Sequence, residues 1–167
     1  MLNLALLNLH KVKIYFLVLG KTTEAYLREG ISIYEKRVKN YLTFELKIIT
    51  ELKNTANLSF EQQKNQEGKL ILAAIDPSDW VVLLDETGLE MSSVNFSKFI
   101  QQSMLQSRKS MIFVIGGPYG FSKDVYQRAN EKMALSKMTF SHQMVRLIFL
   151  EQLYRAMTIL KNEPYHH

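Results

Sequence analysis

Apolar positions along this chain switch between two spacings, and the switching predicts strands alternating with helices. Val12 to Leu19 is a nearly unbroken run of Val, Ile, Tyr, Phe and Leu that stops at Gly20-Lys21, which reads as a buried strand leaving through a turn. Thr23 to Tyr41 then takes helical spacing, with Tyr26, Leu27, Ile31, Tyr34 and Val38 inward and Arg28, Glu29, Glu35, Lys36 and Lys39 outward. Phe44 to Thr50 alternates, as a strand does. Asn54 to Leu58 is polar and loop-like, and Ser59 with Gln62 three residues on is a capping-box signal. From Ser59 to Ile75 helix formers mix with Gln and Asn, so firm packing is expected only around Leu70-Ile71-Leu72.

Pro77-Ser78-Asp79 marks a turn. Trp80 to Leu84 is a continuous apolar run ending in Asp85-Glu86-Thr87-Gly88, as expected of a central parallel strand whose carboxy-terminal end opens at a functional edge. Ser92 or Ser93 caps a helix through Met104, and Met111 to Ile115 is the next buried strand. Ser122 starts another helix, expected to reach about Met133. Val145 to Leu160 is a final helix apolar on nearly every side, interrupted mainly by Arg146, Glu151, Gln152, Arg155 and Thr158. A helix of that kind must be covered all round, which argues for a subunit interface as well as a core contact. The order of elements gives an α/β fold with a mainly parallel sheet flanked by helices.

Composition narrows the chemistry. With 167 residues, 47% hydrophobic, the chain is the size of one domain with a real core, expected over residues 12–167. The eleven residues before Val12 read as an extension outside the fold, whose removal is expected to leave function intact. No apolar span of membrane length occurs there, so no membrane partner is expected. Cysteine is absent, which removes disulfides, iron–sulfur sites and thiol nucleophiles and fits a reducing cytoplasm. His10, His142, His166 and His167 show no ligand spacing, so no metal is expected. The net charge of +5 lies entirely in residues 101–167, which hold 9 Lys and Arg against 4 Asp and Glu. Such a surface is either simply soluble or built for a polyanion.

The same third holds the unusual motifs. Gly116-Gly117-Pro118-Tyr119-Gly120 follows an apolar strand but lacks the order of a dinucleotide or ATP loop, leaving a plain turn or a backbone-lined ligand edge. Ser141-His142 opens the last helix, where a histidine is as readily structural as catalytic. Glu151 and Arg155 have the spacing of an ordinary helix ion pair. Pro164-Tyr165-His166-His167 is a frayed end, or an aromatic and basic tip able to stack on bases.

Taken in order, Leu83-Leu84-Asp85, Ile115-Gly116-Gly117-Pro118-x-Gly120, Leu135-Ser136-x-Met138-Thr139-x-x-His142-x-x-Val145-Arg146, Glu151-Gln152-Leu153-Tyr154-Arg155-Ala156 and Asn162-x-Pro164-Tyr165-His166 closely resemble the SPOUT methyltransferases. Within them the likeness is to the type that N3-methylates a pseudouridine in helix 69 of 23S ribosomal RNA, and it runs from Val12 to the end. The resemblance implies a deep carboxy-terminal trefoil knot, an exception to the rule that chains do not thread loops. It implies S-adenosyl-L-methionine as cofactor, held by backbone contacts at Leu84, Gly116, Leu135, Ser136, Lys137, Met138, Thr139 and Phe140. It also implies a homodimer acting on ribosomal RNA within the ribosome, each site completed by the partner, with His142, Arg155, Tyr165 and His166 near the target base. His142 is the candidate for removing the N3 proton or orienting the base, Arg155 for neutralising negative charge, and Tyr165 for stacking. His167 stands where the family commonly has a basic residue. A SPOUT enzyme acting on transfer RNA and a ribosome-binding protein without catalysis are the rival readings.

Overall fold

The computed structural model describes residues 12–106 and 108–166; the expected amino-terminal extension and His167 lie outside the described residues. The chain runs β1 (Lys13–Leu19), α1 (Ala25–Lys39), β2 (Thr43–Ile49), a 3-10 turn (Thr55–Asn57), α2 (Phe60–Ala73), β3 (Trp80–Glu90), α3 (Ser93–Leu105), β4 (Ser110–Ile115), α4 (Lys123–Arg128), β5 (Glu131–Ala134) and α5 (Met144–Leu160). The five strands of the described residues form one sheet in the order β2-β1-β4-β3-β5, and every pairing between them is parallel.

Interior strands buried on both faces read as unbroken apolar runs, because each face feeds a different core. Ile14, Phe16 and Val18 of β1 join Met111 and Phe113 of β4 beneath α1, α3 and α5, with Phe149 of α5 packed 4.5 Å from the Phe16 ring and 4.8 Å from that of Phe113. The intervening Leu17 and Leu19, with Ile112 and Val114, point to the opposite core, which Ile71 of α2 and Val125 of α4 cover. Three layers result, with the sheet in the middle. The packed part of α2 is its second half, where Glu67, Gly68 and Ile71 are buried.

Three expectations need correction. Tyr26 was placed inward but is 59% exposed, because α1 begins only at Ala25 and Leu27, Ile31 and Val38 form its buried stripe. The helix expected from Ser122 to Met133 stops at Arg128. Ser122 caps it as the sequence implies, accepting from Val125 N–H, but Ala129 turns extended and Glu131–Ala134 becomes a fifth strand. Asn130 makes that switch: its N–H donates to the Val81 carbonyl at 2.9 Å, and its side-chain oxygen accepts from Val81 N–H at 2.8 Å. The third correction is to β3, which does not end at Leu84. It continues to Glu90 through an irregularity between Leu84 and Leu89 that re-pairs it with β5.

Candidate cofactor and RNA site

The carboxy-terminal ends of the adjacent strands β4, β3 and β5 deliver three loops to one edge of the sheet, the place where open α/β sheets bind ligands. There they enclose a cavity of about 620 Å³. Leu84, Gly116, Leu135, Ser136, Met138, Thr139, Phe140 and His142 all line it, so the separate sequence motifs do converge. Lys137 is the exception. Its side chain stands in solvent, 3.9 Å from Glu90, and leaves only main chain to offer.

Tight backbone explains the glycines. Gly120 N–H donates to the Gly117 carbonyl at 3.1 Å, and Gly120 sits at φ +80°, a conformation that favours glycine. A methyl group on Gly116 would stand 3.1 Å from the Phe121 ring and 3.3 Å from the Gly120 carbonyl, so even alanine crowds the turn. Across the cavity, Ser136 Oγ accepts from Met138 N–H at 2.9 Å and pins the second loop. Ser141 Oγ accepts from Met144 N–H at 3.1 Å, starting α5 with His142 exposed at the cavity wall.

Arg146, one turn later, is 2% exposed. Its guanidinium donates to the carbonyls of Leu19 at 2.6 Å, Gly20 at 2.9 Å and His142 at 3.1 Å, and to Thr22 Oγ1 at 3.1 Å. It therefore ties the His142 segment to the end of β1. Burial lowers its pKa, against the pull of Glu51.

The sequence brings Asp85 to this edge with the end of β3 but does not show its pairing with Tyr126 on the cavity wall. Asp85 accepts from Thr87 N–H at 2.8 Å and from the Tyr126 hydroxyl at 2.5 Å. Burial works to raise the Asp85 pKa, but the Thr87 and Tyr126 hydrogen bonds outweigh it and hold it below the ordinary value. The Asp-x-Thr spacing was a legible turn signal. Tyr126 reaches across from α4 and gave none.

The remaining predicted residues form a second group at the far end of α5. Arg155 donates to Glu151 at 3.0 and 2.5 Å and lies 4.6 Å over the Tyr165 ring. The Tyr165 hydroxyl reaches Glu151 and the Tyr34 hydroxyl, each at 3.1 Å, with His166 half-buried next in the chain. Burial, then the Tyr34 and Glu151 contacts, raises the Tyr165 pKa, so its phenol stays a neutral donor. Arg155 follows His142 by 13 positions, and at about 1.5 Å per helical residue the two lie roughly 20 Å apart. One chain does not bring them together.

A family model described as predicted SPOUT methyltransferase matches residues 12–166. The chain belongs to the SPOUT methyltransferase family. With the family goes its knotted carboxy-terminal fold. Among similar SPOUT proteins, one from Parabacteroides distasonis named ribosomal RNA large subunit methyltransferase H is 55% identical over 156 residues, 93% of this chain and 99% of that one. A protein of the same name from Christiangramia forsetii is 60% identical over 149 residues, 89% of this chain and 95% of its own. A crystal structure of a probable methyltransferase from Bordetella pertussis Tohama I has a TM-score of 0.50 at 7% identity, covering 93% of this chain and 99% of that one, and is similar in fold alone.

Among the described residues, no three His, Asp or Glu side chains gather as a metal site, and no helix is long and apolar enough to cross a membrane.

Proposed function

We propose that the chain transfers a methyl group from S-adenosyl-L-methionine to N3 of a pseudouridine in helix 69 of 23S ribosomal RNA, as a cytoplasmic homodimer. The observation that carries this is the cavity at the ends of β3, β4 and β5, in a SPOUT chain whose relatives are named for the large ribosomal subunit. Its volume of about 620 Å³ suits a nucleoside-sized ligand. Gly116, Gly117 and Gly120 line the cavity without side chains, which leaves main chain open to a ligand and fits recognition by main-chain groups at Leu84, Gly116 and residues 135–140.

When bound, S-adenosyl-L-methionine supplies a methyl group already activated on its sulfonium. The chain's own residues then have to place N3 in line and remove its proton. His142, exposed on the cavity wall and fixed through its carbonyl by Arg146, is the group to accept that proton or orient the base. Arg155 would neutralise a phosphate or the uracil anion, Tyr165 would stack on the base as a neutral phenol, and His166 would lie beside it.

The 20 Å gap supports a homodimer, since a second copy laid antiparallel along α5 brings its Arg155 and Tyr165 to this chain's His142. Met144, Ile148 and Ile159 support it too: they remain only half-buried after α1 and α3 have packed, leaving a stripe for a partner.

The test is incubation with labelled S-adenosyl-L-methionine and either ribosomes from a strain lacking this gene or transfer RNA, followed by mass spectrometric mapping. Label at N3 of a single 23S pseudouridine is expected. Label confined to transfer RNA, or none in ribosomal RNA, overturns the reading.

A further inference from the structure

Glu67 is a carboxylate that neither the cavity chemistry nor any ion pair among the described residues uses. It lies on the packed half of α2 and is 7% exposed. Its Oε1 accepts from the Gln63 amide at 2.9 Å, while its Oε2 has no hydrogen-bond partner among the described residues. That free oxygen stands directly behind the glycine turn: a methyl group on Gly117 would be 2.2 Å from Glu67 Oε2. Gly117 lines the cavity, so only one thickness of backbone separates the carboxylate from a bound molecule. The approach is close all along this contact, since a methyl group on Gly68 would stand 2.2 Å from Ser122 Oγ.

The cavity's charge points the same way. Although the chain carries a net charge of +5, no lysine or arginine is among the described residues lining this cavity, whereas Asp85 and Glu86 are. Asp85 has its oxygens occupied by Thr87 and Tyr126, and Glu86 is exposed, where water and salt screen it. Glu67 is the buried and incompletely satisfied one. A carboxylate in that state is costly unless positive charge comes near, and burial strengthens its attraction for a cation.

We propose that Glu67 is a specificity-determining residue of the cofactor cavity, favouring the cationic sulfonium of S-adenosyl-L-methionine over the neutral thioether of S-adenosylhomocysteine. Gly117 is the companion that lets the carboxylate approach. By this device the pocket weakens its hold once the methyl group has gone, which favours product exchange. The inference rests on the cofactor assigned above.

Calorimetry with both ligands on wild type, Glu67→Gln, Glu67→Asp and Glu61→Gln tests it, with melting temperature as the check on folding. Glu67→Gln keeps the shape and removes the charge, so S-adenosyl-L-methionine should bind at least about fivefold more weakly while S-adenosylhomocysteine changes less than about twofold. Glu61→Gln, at an exposed carboxylate of the same helix and outside the cavity lining, should leave both affinities nearly unchanged. Equal weakening of both ligands, or of neither, in Glu67→Gln overturns the proposal and leaves the methyltransferase reading standing. Should Glu67→Gln not fold, Glu67→Asp decides: keeping the wild-type preference supports the proposal, and losing it overturns it. Wild type binding neither ligand overturns both readings.

Discussion

Arg146 shows how little a residue's type says about its surroundings. In the sequence it breaks an apolar helix; in the fold it is among the most buried side chains, because four oxygen acceptors from two segments, residues 19–22 and His142, meet its guanidinium. Replacing it with methionine strands buried carbonyls, so Arg146→Met should lose about 3 kcal/mol in urea unfolding. Asp85 makes a pH-dependent contribution. Its pKa is held below the ordinary value, so the folded state binds fewer protons than the unfolded chain and stability is lost as pH falls. The melting-temperature gap between wild type and Asp85→Asn should therefore be widest near neutrality and shrink below about pH 4, a scan that checks the sign directly.

Elements were legible where their signals are local. The Ser59 capping box forms as the spacing implies, with reciprocal bonds of 2.9 and 3.1 Å to Gln62. Ser59→Ala should cost about 1 kcal/mol in thermal or urea unfolding. Strand β5 was not legible: at four residues, Glu-Lys-Met-Ala, it has neither alternation nor β-branched residues, and it exists because β3 offers an edge and Asn130 starts the pairing. Gly88 permits the contact, since a methyl group there would stand 2.5 Å from the Met133 nitrogen. Gly88→Ala should destabilise by about 2 kcal/mol and, by displacing the strand that leads into Leu135, weaken cofactor binding measured by calorimetry.

At the scale of the whole molecule, the division of predicted residues between the two ends of α5 sets the strongest test of the dimer. His142→Ala and Arg155→Ala should each be inactive alone. Mixed in equal amounts and allowed to exchange subunits, they should recover about a quarter of wild-type activity, because half the dimers are mixed and each has one intact site. No recovery, despite subunit exchange shown by mass, would place both residues in one chain's site. The sequence by itself determined the layered α/β class, the buried strands, the caps and which loops meet at the cavity, because these rest on local periodicity and on an ordered set of motifs. Only the tertiary structure decided that Asp85 meets Tyr126, that Arg146 is buried, that Glu67 stands behind Gly117 and that Arg155 lies far from His142. Each of these joins positions distant along the chain, or depends on which helix face the sheet covers, and neither spacing nor composition carries that information.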